Sequence, residues 1–234
     1  MEGHNMKQIL TLGVALLITI TISAQKNITK FMGIPIDGTK SEMIQKLKAK
    51  GFSWNGQHEF LEGEFNGREV HIYIGTNNNK VYRIMVADAQ DVGESEIKIR
   101  FNKLCQQFQN NGKYLPTDLL GSFELGSDED ISYEMSVHKK RYQASYYQFS
   151  EEDKDTTGLA MWATEQLLSR YTEEEREKMS EEDGQKVLFE LMMDYILDKV
   201  SDKSVWFMIN EIYGRYYISI YYDNKKHQAT GEDL

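Results

Sequence analysis

Asn66-Gly67, set between residues 60–65 and 68–74, constrains this chain more tightly than any other feature. Both residues accept positive φ, which a two-residue type I′ turn requires at its two central positions, so the flanking segments are committed to an antiparallel hairpin. In the second segment Val70, Ile72 and Ile74 alternate with His71 and Tyr73, which buries one face and leaves the other to solvent. Thr76-Asn77-Asn78-Asn79 then turns the chain into a third strand over 81–86. A helix precedes the meander. Thr39 and Glu42 have capping-box spacing, Met43, Ile44 and Leu47 share one face, and Gly51 supplies a left-handed stop.

The same order recurs. Ile97, Phe101, Leu104 and Phe108 mark an amphipathic helix ending near Gly112. Strands are expected at 123–125, 131–137 and 142–149, with His138-Lys139-Lys140-Arg141 as a hairpin tip, because Ile131, Tyr133, Met135 and Val137 alternate with Ser132, Glu134 and Ser136. A third, more helical unit places helices at 159–171, 172–179 and 184–200 before a closing hairpin, 205–210 and 216–223. The fragments Glu64 to Arg68 and Glu211 to Arg215 share the turn pattern E-x-x-G-R. The fold class expected is α+β, with helix-then-antiparallel-meander units (about 38–88, 93–149 and 156–224) forming one curved antiparallel sheet with helices on one side, within a single domain over 25–234.

Residues 9–22 form an uncharged apolar run of 14 residues, preceded by Lys7 and followed by Ser23-Ala24. A membrane-spanning helix needs about 20 apolar residues. The run therefore reads as a secretory signal peptide over 1–24, cleaved after Ala24, with Met6 as a better start than Met1. Export to the periplasm or the extracellular space is the expectation, with no integral span left after cleavage. No cysteine near the cleavage point would carry a lipid, and the single Cys105 cannot build an internal disulfide or a cysteine zinc cage.

A hydrophobic fraction of 40%, about 47% once the 17 glycines are counted, places the chain among ordinary globular domains. Its net charge of −10 argues against nucleic acid, where affinity comes from neutralising phosphates. That charge is local: residues 150–183 hold 12 acidic and 4 basic side chains, so the strand-forming regions are nearly neutral.

The opening segment FMGIPIDGTKSEMIQKLKAKGF (31–52) and the closing segment VWFMINEIYGRYYISIYYDN (205–224), behind a short signal peptide, resemble a group of uncharacterised exported proteins from gut-dwelling Gram-negative bacteria. In layout the helix-then-meander units are similar to the beta-lactamase-inhibitor-protein-like fold and, more distantly, to small outer-membrane assembly lipoproteins. The resemblance implies a sheet face presented to a protein partner and brings no catalytic residues. The disulfides of the inhibitor and the lipid-bearing cysteine of the lipoproteins are missing here, so neither partner carries over.

Motifs for chemistry are weak. His58-Glu59-Phe60-Leu61-Glu62 lacks the second histidine of a zinc-protease motif and lies in a strand, where i and i+4 are about 13 Å apart. Ser136-Val137-His138-Lys139 matches S-x-x-K, but in an expected strand leading to a hairpin tip. Cys105 sits on the apolar helix face and reads as core. Asp153 to Gly158 follows the start of a calcium loop without its closing bidentate glutamate; Asp155, Thr156 or Thr157 capping the next helix is the plainer reading. No metal, cofactor or catalytic constellation is expected.

What remains is surface. With Val70, Ile72 and Ile74 inward, His71, Tyr73, Tyr217, Tyr221 and Trp206 fall on the outward sheet face. Aromatic groups of this kind anchor binding interfaces, although tyrosines also pair across strands for structural reasons alone. The expected function is a non-enzymatic interaction protein of the cell envelope, using this face on a protein partner, with a glycan second. The alternative is a structural or envelope-maintenance protein acting through its acidic helical region, and an enzyme of unrecognised type comes last.

Overall fold

The computed structural model describes residues 28–119, 121–150, 153 and 155–229; the expected signal peptide lies outside them. The fold is α+β. A short ribbon, β1 (Lys30–Phe31) with β2 (Ile34–Pro35), leads into α1 (Lys40–Ala49). The capping box at its start is formed: the Thr39 amide donates to Glu42 Oε2 at 2.8 Å, and the Glu42 amide donates to Thr39 Oγ1 at 3.3 Å. The meander follows as β3 (Ser53–Asn55), β4 (Phe60–Phe65), β5 (Arg68–Asn77) and β6 (Lys80–Asp88). Asn66 and Gly67 take φ of 53° and 72°, and Phe65 pairs with Arg68 across the turn.

Next comes α2 (Glu94–Gln109), with Ile97, Phe101, Leu104 and Phe108 all buried as their spacing requires. After it the chain departs from expectation. Residues 123–125 form no strand, and 131–137 is not a strand but a helix, α3 (Ile131–Val137), between β7 (Tyr114–Pro116) and β8 (Gln143–Gln148). Asp130 caps it by accepting from the Tyr133 amide at 2.8 Å, and Glu134 meets His138 one turn on at 2.9 Å. Ile131 is buried, whereas Tyr133 and Val137 are more than half exposed, so the alternating apolar residues do not share a buried face. The second unit is therefore not a meander, and 138–141 is not a hairpin tip.

The third unit runs as expected: α4 (Leu159–Arg170), α5 (Glu173–Lys178), α6 (Glu181–Val200), then β9 (Lys203–Ile212) and β10 (Arg215–Asn224). Its helices pair with each other, through Trp162 and Tyr195 rings 5.4 Å apart and an Arg170–Asp194 ion pair of 3.0 Å. Among the described residues no helix is long and apolar enough to cross a membrane.

All strands from β3 to β10 join one antiparallel sheet of eight, in the order β3-β4-β5-β6-β10-β9-β8-β7. The last hairpin thus occupies the middle, with β10 against β6 and β9 against β8. The inner face carries the core. Leu61, Ile72, Ile84, Ile218, Phe207 and Tyr146 are buried with Met43 and Leu47 of α1 and Ile97 and Phe101 of α2. One buried ion pair crosses this layer: Arg100 of α2 grips Asp88 at the end of β6 through two bonds, and Asp88 Oδ2 also accepts from the Ile218 amide.

Candidate functional site: the outer face of the sheet

Register across the sheet decides what meets on the outer face. Tyr73 stands opposite Met85, Met85 opposite Tyr221, Tyr221 opposite Trp206, and Trp206 opposite Ser145, giving one row over β5, β6, β10, β9 and β8. The adjacent row reads His71, Ala87, Ser219 and Met208. All five residues expected on the outward face, His71, Tyr73, Trp206, Tyr217 and Tyr221, are there and half-buried.

They form two aromatic groups. On one flank the Phe60 ring stacks on His71 at 4.2 Å and meets Tyr73 edge-on at 5.5 Å. On the other, Trp206 and Tyr221 lie parallel at 3.9 Å, and the Arg83 guanidinium sits 5.7 Å and 5.2 Å from the two ring centres. Arg83 is held there by a bidentate pair with Asp223, at 2.6 and 2.8 Å, while Trp206 Nε1 donates to the same carboxylate at 2.9 Å. The Asp223 hydrogen bond raises the guanidinium's pKa further, so the charge is permanent. Tyr217 bridges the flanks; burial, then the neighbouring Tyr221 and Tyr73, push its hydroxyl pKa up and keep it neutral.

Between the flanks runs a shallow groove of about 310 Å³, lined by His71, Tyr73, Tyr217 and Tyr221 together with Met85, Asn210, Ser219 and the carboxylates of Asp88 and Asp91. Asn210 Nδ2 donates to Ser219 Oγ at 3.0 Å, which fixes one amide at its floor. Aromatic walls and fixed polar groups suit contact with side chains of a partner. Phe60, Met85 and Arg83 were not singled out from the sequence. Phe60 was accessible to it, since the Asn66-Gly67 turn fixes Phe65 opposite Arg68 and hence Phe60 opposite Tyr73.

The other motifs resolve into structure. His58 stacks on Phe60 in the turn before β4, at 5.8 Å. Ser136 and Lys139 lie at the end of α3 rather than in a strand, and the lysine donates to the Ser136 carbonyl oxygen, not its hydroxyl. Cys105 is buried, and burial pushes its thiol up to about 12, so it is not a thiolate at neutral pH. Asp153 is buried against Lys203 at 2.5 Å and accepts from both the amide and hydroxyl of Ser150. Burial opposes its ionisation, but these bonds hold its pKa below the usual carboxylate value. The cap of α4 is Gly158, not Asp155, Thr156 or Thr157; Asp155 instead accepts from the Thr157 amide. Among the described residues no cluster of three metal-ligating side chains occurs. The chain matches no protein-family model, no curated protein and no solved structure.

Proposed function

We propose that this is an exported, non-enzymatic interaction protein of the cell envelope, which presents the outer face of its sheet to a protein partner. One observation carries the reading: the alternation of four strands puts two aromatic groups, linked by Tyr217 and a fixed Arg83, on the face opposite the core. Tyrosine, tryptophan and arginine are the residue types that dominate binding hot spots, because they bury much area for little lost rotamer freedom. Here the Trp206–Tyr221 stack and the Arg83–Asp223 pair restrict those rotamers before any partner arrives.

The test is capture from native envelope extract by the mature protein and by a Tyr73→Ala/Tyr217→Ala double variant. Neither residue belongs to the buried core, so the variant is expected to fold. Binding should weaken at least about tenfold, the loss of a single good hot spot. Unchanged capture would sink this reading and favour contact through α4–α6, where Met161, Leu168, Leu188 and Phe189 are all more than half exposed. That apolar exposure on the acidic region is what supports the alternative, a structural or maintenance role.

A further inference from the structure

A second recess lies on the opposite side of the sheet, between the C-terminal half of α2, the β4–β5 turn and the inner face of β10. Its volume is about 720 Å³, inside the roughly 300–1,000 Å³ range of small-molecule sites. Phe65, Leu104, Phe108 and Tyr222 give it an apolar floor, and carboxamides form much of its rim. Asn66 Nδ2 donates to Gln107 Oε1 at 2.9 Å, tying the rigid hairpin turn to the helix and fixing the width of the opening there.

Charge identifies the occupant. The chain has 37 acidic side chains, yet among the described residues none lines this recess, whose one charged lining residue is Lys103. An adjoining recess of about 260 Å³ shares Lys103, Asn66 and Gln107, and adds Arg68 and Arg100. Each arginine is already neutralised, Arg68 by Glu96 at 2.9 Å and Arg100 by Asp88. Lys103 has no acidic partner within ion-pairing distance among the described residues. An apolar floor beside an uncompensated ammonium is complementary to an amphiphile of the opposite sign.

We propose that this recess binds a small anionic amphiphile, a free medium-chain fatty acid, with its chain on the Phe65–Phe108 floor and its carboxylate on Lys103. The site is independent of the outer sheet face and of whatever binds there. Dodecanoate is the probe, with dodecanol as its uncharged counterpart, followed by amide chemical shifts in the intact protein. Dodecanoate should move the amides of Asn66, Lys103, Gln107 and Asn110 in a saturable way. Lys103→Met keeps the aliphatic stem at an exposed helical position and should weaken dodecanoate about fivefold while leaving dodecanol unchanged. Lys103→Glu should weaken it further. The proposal is overturned if dodecanoate shifts amides mainly on the outer sheet face or on α4–α6, if no saturable shift appears, or if both lysine variants bind it as the parent does.

Discussion

Two residues in equivalent turns follow different rules. Asn66 and Tyr213 each open a two-residue turn, with φ of 53° and 51°, and each is followed by a glycine at positive φ. Asparagine is at home in that conformation because its short polar side chain tolerates it; a bulky aromatic is strained there. Tyr213 receives nothing in return from its own chain, since it is 97% exposed. Tyr213→Asn should therefore stabilise the protein by about 0.5–1 kcal/mol, read as a higher denaturant midpoint with unchanged slope. A drop in stability would mean that the ring has an unseen supporting role. The repeated E-x-x-G-R pattern thus marks a shared turn geometry, and the position that differs is the one where backbone preference and exposure disagree.

At the scale of elements, α4–α6 depend on how their ends are fastened. Asp153 and Lys203 form a buried pair that closes the base of this helical segment at the first residue of β9. The folded-state pKa of Asp153 lies below its unfolded value, so its stabilisation is complete above the ordinary carboxylate range and is lost as pH falls through the folded value. Asp153→Asn should cost about 1.5–3 kcal/mol at pH 7, because a charged hydrogen bond to the buried Lys203 ammonium is replaced by a neutral one. The gap between variant and parent should narrow in unfolding measurements below about pH 4. A gap independent of pH would show that the carboxylate's charge is not what fastens the segment. None of this could be seen in the sequence, where Asp153 sits in an acidic run that resembles a calcium loop. The segment at 131–137 was misread for a related reason. I-S-Y-E-M-S-V fits period two, but Ile131 and Met135 also fit one helical turn, and the decision rests on Asp130, whose carboxylate caps the helix.

Across the whole molecule, what was legible is the facing of strands and what was not is their order. Alternation in 70–74 and 216–222 assigned His71, Tyr73, Tyr217 and Tyr221 to one face without knowing which strands touch. No local signal announces that β10 lies beside β6, because that register is set by matching two buried faces about 135 residues apart. The recess at Lys103 escaped for the same reason, being assembled from a turn, a helix and a distant strand. Burial is concentrated in the sheet and α1–α2, whereas only Ala163, Leu191 and Val200 are buried apolar residues of α4–α6. Amides of β5, β6, β9 and β10 should therefore be the slowest to exchange with deuterium, and those of α4–α6 much faster. Equal protection would contradict this division.

The central place of the final hairpin also sets the timing of folding. Until residues 203–224 are available, β6 and β8 are paired on one side only, with β5 and β7, and joining their open edges requires closure of a very long loop. A chain stopped short of β9 would expose two hydrogen-bonding edges ready to pair with neighbouring chains. The native sheet is closed only by β9 and β10, so forms truncated before them are expected to aggregate rather than persist as smaller domains.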